Sequence, residues 1–297
     1  MARGNDGNYL QHCIEVEAAV RLAEMDAAGR LHISLTHGME PFERFKPFAL
    51  REQQTPYYQL LKNKLEDSKQ PSQVDESAVV KAYRETGASD TRYPNSAELL
   101  RAVIGAENLS GGITEICTRK HKSLSSAWVN TNVKTACASW REEICTDGIL
   151  ACPEDLQSSW LFSMDPMTYK EEGYMDDDRL YHSDIGILSC AISRYFRSGR
   201  PGVAALFVYN IGVQKNNTQC QFANFIKELK EWVKKRVSDN LAVSTEVATS
   251  CFSLQHTKRK RNLAGLIHSS EIDLSAKLKS ACIDLGIAPG RSLAARL

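Results

Sequence analysis

The sequence predicts a mainly α protein folded as two lobes, and three observations predict it. Apolar residues recur at helical spacing through most of the first 162 residues and again beyond 184. Glycines and N-capping side chains fall at the ends of those periodic stretches. Residues 163–184 have no period and hold a proline, a glycine and seven acidic side chains. That stretch reads as an acidic linker or long ordered loop between an N-terminal lobe, 1–162, and a C-terminal lobe, 185–297.

The elements follow in chain order. Tyr9 to Ala28 sets Leu10, Cys13, Ile14, Val16, Val20, Leu22, Ala23 and Met25 at helical spacing, with Gly29 as a stop. Thr55-Pro56 is an N-cap followed by a first-turn proline, which starts a helix carrying Tyr57, Leu60, Leu61 and Leu65. Val74 to Thr86 forms a third helix closed by Gly87. Asn95 or Ser96 caps a fourth that ends at Gly105. Segments 113–121, 124–145 and 154–162 read as further helices with softer bounds.

Beyond the linker, Ser183 caps a helix with Ile185, Leu188, Ile192, Tyr195 and Phe196 on one face. Val203 to Val213 is continuously apolar, so it is a buried helix or a strand, and periodicity does not separate the two. Phe222 to Val237 is the clearest amphipathic helix, its stripe being Phe222, Phe225, Ile226, Leu229, Val233 and Val237. Leu241 to Cys251 alternates loosely, giving small β elements near 203–213 and 241–252. Ser270 and Asp273 open a last helix, 271–285, closed by Gly286, and a short basic tail follows.

Charge is unevenly placed along this chain. The formal net charge is +1, yet residues 1–184 hold 20 basic and 29 acidic residues, net −9, and residues 185–297 hold 17 and 7, net +10. Such a division suits a polyanion bound at one end, or head-to-tail association of copies. The basic residues that would neutralise phosphates are Arg194, Arg197 and Arg200, then Lys227, Lys230, Lys234, Lys235 and Arg236, then the run Lys258, Arg259, Lys260 and Arg261. Tyr195, Phe196, Tyr209 and Trp232 lie among them and offer faces on which unpaired bases stack.

Several other chemistries are disfavoured. Tyr174-Met175-Asp176-Asp177 spells a polymerase-like motif, but its flanks are acidic and make poor strands. Glu171, Glu172, Asp176, Asp177, Asp178 and Asp184 are oxygen ligands of the kind that hold Mg²⁺, without a recognisable strand to place them. Cys117 and His121 share a helical spacing, but the nine cysteines form no C-x₂₋₄-C pair, so zinc is not expected. His12-Cys13 sits where Cys13 faces inward. No phosphate-cradling or serine-hydrolase glycine motif is present.

The polar start lacks an apolar signal core and no run reaches transmembrane length, which predicts a cytoplasmic or nuclear protein, not a secreted one, with reduced thiols and no membrane contact. The expectation is therefore a non-enzymatic protein that binds RNA or single-stranded DNA through its basic lobe and self-associates, nucleocapsid-like, with no cofactor or metal. A structural capsid or scaffold subunit is the first alternative, and a metal-dependent nuclease using the acidic 171–184 cluster the second.

Overall fold

Seven strands form one mixed sheet through the middle of the molecule, which corrects the mainly α, two-lobed expectation to an α/β fold. The computed structural model describes residues 6–36, 77–88, 94–145, 147–153, 157–165, 168–170, 179–197, 200–211, 216–239, 246–257, 260–272 and 274. Helix α1 is Asp6–Met25 and leads into β1, Leu31–Leu35. Then come α2 (Ala78–Glu85), α3 (Ser96–Ile104), β2 (Leu109–Thr114), α4 (Thr118–Ala127), β3 (Val133–Ala136), α5 (Trp140–Glu143) and β4 (Ser159–Met164). The short strands β5 (Thr168–Lys170) and β6 (Arg179–Tyr181) precede α6 (Ile185–Arg197) and β7 (Val203–Ile211). Helix α7 (Asn216–Ser238) and strands β8 (Val247–Thr257) and β9 (Lys260–Ser269) complete the described chain.

The sheet order is β3-β2-β1-β4-β7-β9-β8. Pairings among β3, β2, β1, β4 and β7 are parallel, with Leu31 opposite Leu109 on one side and Ser159 on the other. β9 is antiparallel to both β7 and β8, so it alone runs against the rest. Helices cover both faces, as a parallel sheet requires. β4 and β7 send alternate residues to opposite cores: Leu161, Ala204, Leu206 and Val208 join α1, α2 and α3. Trp160, Phe162, Met164, Ala205 and Phe207 join α6 and α7 on the other face. Strands that bury both faces show apolar runs without alternation, and the described part of that run, Val203–Ile211, is accordingly a strand.

Three predicted helices gave way to strands. β2 and the start of α4 occupy 113–121, β3 interrupts 124–145, and β4 occupies the end of 154–162. The strand expected near 241–252 is present from Val247 onward. The helix expected from Thr55 and most of the last helix, 271–285, lie outside the described residues. Helix ends were better marked. Asn95 and Glu98 form a reciprocal capping box at the start of α3, with bonds of 2.9 and 3.1 Å.

Gly111 shows why β2 looked unlike a strand. Its φ is +132°, and a Cβ there would stand 1.9 Å from the Ile33 carbonyl oxygen of β1. Only glycine permits this approach of β2 to the centre of the sheet. Strands from both sides of residues 163–184 join the same sheet, so that acidic stretch extends from the end of β4 through β5 and β6 to the start of α6.

Candidate active site at the carboxyl edge of the sheet

In a doubly wound sheet, ligands sit outside the carboxyl ends of the strands where the strand order reverses. Here the reversal lies between β1 and β4: β1 continues towards β2 on one side, β4 towards β7 on the other. Thr36, just past β1, donates its N–H to the Ser163 carbonyl of β4 at 3.1 Å, which closes the floor of this crevice.

On the β4 side, two carboxyl groups interact electrostatically. Glu15 of α1 is buried among groups that donate to it: the Ser163 hydroxyl, and Gln11 Nε2 at 2.9 Å. Gln11 also reaches Ser96 Oγ, the first residue of α3, at 3.4 Å. Burial raises the Glu15 pKa above the usual carboxylate value, and hydrogen bonds from Ser163, Ser96 and Gln11 offset part of that rise. Asp165 stands one residue beyond β4. Burial and then the Glu15 charge push its pKa up to about 7. One turn earlier on α1, buried His12 shares a 2.6 Å hydrogen bond between Nδ1 and the Tyr83 hydroxyl. The result is a desolvated pair of carboxyl groups able to hold a proton near neutral pH.

On the β2 side, Glu115 follows the strand directly. Its Oε1 accepts from the Cys117 N–H at 2.9 Å, and its own N–H donates to the Ala136 carbonyl at 3.0 Å. The next residue, Ile116, is 45 % exposed, one of three large apolar side chains that stand out among the described residues. A carboxylate and an exposed apolar face thus sit together at the mouth of β2.

The basic residues singled out in the sequence are distributed elsewhere. Helices α6 and α7 each leave a strand's carboxyl end, so their last turns lie towards the opposite edge of the sheet from the crevice. Arg194 and Arg197 are in the last turn of α6, and Arg197 bonds Ser193 Oγ at 2.9 Å. Arg200 is buried, donating to the Ser158 and Pro153 carbonyls and to Cys152 Sγ at 3.0 Å. Lys227, Lys230, Lys234 and Lys235 lie along the solvent side of α7, and Arg236 donates to Ser189 Oγ of α6 at 3.2 Å. Lys258 and Arg259 lie outside the described residues, while Lys260 and Arg261 begin β9.

The acidic cluster divides in the same way. Residues 171–178, with the Tyr174-Met175-Asp176-Asp177 motif, lie outside the described residues. Asp184 is buried and takes both oxygens to Arg141, at 2.9 and 2.8 Å, besides accepting from the Tyr181 N–H. It braces β6 and the start of α6. No group of three metal-ligating side chains occurs among the described residues, and no helix there is long and apolar enough to cross a membrane.

Sequence reasoning missed Gln11, Glu15, Glu115 and Asp165. Two signals stood in the chain: Gln11 and Glu15, four apart, interrupt an otherwise apolar helical face, and Asp165 comes three residues after the apolar run Trp160-Leu161-Phe162.

No family model and no curated protein matches this chain. Among solved structures it is similar to protein LPL1258 from Legionella pneumophila str. Philadelphia 1, described under family-model DUF519. The TM-score is 0.59 at 13 % identity, covering 98 % of this chain and 96 % of that one. A likeness at that identity speaks for the fold.

Proposed function

We propose that this chain is a group-transfer enzyme that holds an adenosine-containing methyl donor across the carboxyl ends of β1, β2 and β4. One observation carries the reading. Counted along the main sheet, the strands lie in the order 3-2-1-4-5-7-6 with the seventh alone antiparallel. That arrangement is shared by many methyltransferases using such a donor, an analogy of fold that the site itself must support.

The residues fit such a group. An acidic side chain at the end of the second strand is where a doubly wound fold engages ribose hydroxyls, and Glu115 occupies that place. Exposed Ile116 beside it offers an apolar surface for one face of a base. When bound, the donor would supply an electrophilic methyl group. Asp165 then has the chain's own part: it accepts a hydrogen bond from an N–H or O–H of the acceptor and takes up its proton near neutral pH, an affinity that the charge of buried Glu15 raises. Ser163 and Gln11 fix the orientation of Glu15.

Calorimetric titration with S-adenosylhomocysteine, the demethylated form of the donor, tests the reading. Binding by the native chain is expected, weakened at least about tenfold by Glu115→Ala, since a hydrogen bond to a charged group is worth roughly 1.5–3 kcal/mol. Absence of binding at millimolar ligand would overturn it.

A second reading is favoured by the solvent side of α7. Lys227, Lys230 and Lys234 recur there every three or four residues, with Lys235 next to the last and Trp232 42 % exposed beside them. A stripe of cations with an aromatic face suits a phosphate backbone with unpaired bases, and a nucleic acid is then the substrate or partner, with self-association on it. Converting the four lysines to alanine is expected to flatten the salt dependence of RNA or single-stranded DNA binding. An unchanged slope would remove α7 as the contact.

A further inference from the structure

We propose that Cys117 and Cys137 form a reversible disulfide at the mouth of the crevice. The inference rests on the thiols themselves and is independent of which ligand the crevice takes. β2 and β3 are parallel, with Thr114 opposite Ala136 at their carboxyl ends. The Glu115 N–H continues the pairing by donating to the Ala136 carbonyl at 3.0 Å. Cys137 follows Ala136 directly, and Cys117 lies two residues beyond Glu115 on the neighbouring chain segment. The Cys137 sulfur lies 3.9 Å from the Ile116 carbonyl oxygen and 3.7 Å from Thr118 Oγ1, against both chain neighbours of Cys117.

Both thiols are free and reachable: Cys137 is exposed and Cys117 half-buried. Cys117 also immediately precedes the ten-residue helix α4. Three of the other described thiols are placed differently. Cys13 is buried, the Cys145 sulfur points back to the Arg141 carbonyl, and the Cys152 sulfur accepts from Arg200.

The chemistry balances with a small disulfide, such as oxidised glutathione, as oxidant. The Cys117 thiolate attacks one sulfur of it, forming a mixed disulfide and releasing one small thiol. The Cys137 thiolate then attacks Cys117 Sγ, releasing the second. Two protons leave the protein thiols and two electrons reduce the small disulfide. The bond ties the segment between β2 and α4 to the end of β3. Because the Cys117 N–H donates to Glu115, it also holds that carboxylate in one place.

The test is peptide mapping without reduction. The full chain is incubated at graded ratios of oxidised to reduced glutathione, remaining thiols are alkylated, and the digest is read by mass spectrometry. The expected result is a cross-linked peptide pair joining Cys117 to Cys137, lost on treatment with dithiothreitol. In Cys137→Ser, glutathione should stay on Cys117, because the resolving thiol is gone. Cross-links that join other cysteines, or glutathione adducts on Cys117 and Cys137 without the cross-link, would overturn the proposal. The native chain alone decides this, so nothing depends on a variant folding.

Discussion

Arg141 and Asp184 are joined by two hydrogen bonds, Nε to Oδ1 at 2.9 Å and Nη2 to Oδ2 at 2.8 Å, with both side chains buried. The same guanidinium donates to the Arg179 carbonyl at 3.0 Å and lies over the Trp140 ring, 4.4 Å from its centroid. Asp184 in turn accepts from the Tyr181 N–H. One ion pair thus secures α5, β6 and the entry to α6, the frame around the stretch that follows β4.

Breaking that pair from one side leaves a charge buried without its partner. Asp184→Asn is expected to cost about 3–5 kcal/mol, read as a lower urea midpoint at unchanged slope. The double replacement Arg141→Met with Asp184→Leu should recover much of the loss, because apolar residues of similar volume remove the desolvation cost of both ions.

His32 makes stability depend on pH from the other edge of the sheet. It is buried, with Nδ1 3.1 Å from Ser110 Oγ, and burial followed by the charge of Arg200 lowers its pKa from 6.5 to about 3. The folded chain keeps the ring neutral while the unfolded chain protonates it below pH 6.5. The stabilisation is therefore complete above that value and is lost as pH falls from about 6.5 towards 3, at up to about 1.4 kcal/mol per pH unit. Urea midpoints measured from pH 7 to 4 should fall more steeply for the native chain than for His32→Asn.

Asp165 has the opposite sign. Its folded pKa of about 7 exceeds the ordinary 3.8, so its stabilising effect is present below 3.8 and is lost as pH rises through 7. Asp165→Asn is expected to raise the urea midpoint at pH 8 while lowering the proposed methyl transfer by at least about a hundredfold, the lower end of what general acid–base catalysis contributes. Transfer rates in the native chain should rise with an apparent pKa near 7 that belongs to the Glu15–Asp165 pair.

Gly111→Ala tests the close approach of β2 to β1. The added methyl would stand 1.9 Å from the Ile33 carbonyl oxygen at a φ of +132°. A loss of at least about 3 kcal/mol is expected from combined crowding and backbone strain. Gly186→Ala, where nothing lies within 4 Å of the new atom, is the control and should be close to neutral.

How much of this could be read from the chain depends on which signal each element emits. Asn95, Gly87 and Gly105 marked helix ends correctly because capping chemistry is local. The strands were obscured by their own burial. Ser159–Met164 packs residues on both faces, so it shows an apolar run without the alternation that identifies a half-exposed strand. Leu109–Thr114 carries two glycines that look like a turn until the neighbouring strand is known to press on them. The candidate site was hidden for a related reason. Glu15 lies mid-helix and Asp165 opens what looks like a linker, 150 residues apart; only the pairing of β1 with β4 and the packing of α1 across them bring the two carboxyl groups together. The basic residues were conspicuous because composition alone displays them, whereas their partners, such as the Ser158 carbonyl that receives Arg200, are set by the fold.

The place of β9 has a consequence for how the molecule is made. The last of the described strands to leave the ribosome is inserted between two earlier ones, pairing with β7 on one side and β8 on the other. Until residues 260–269 have emerged, β8 has no route into the sheet and the flank of β7 is bare. A nascent chain released before that point would lose two strands at once and expose Ala204 to Ile211 as an open, largely apolar edge. Termination before residue 260 should therefore give an aggregating product instead of a slightly shortened protein.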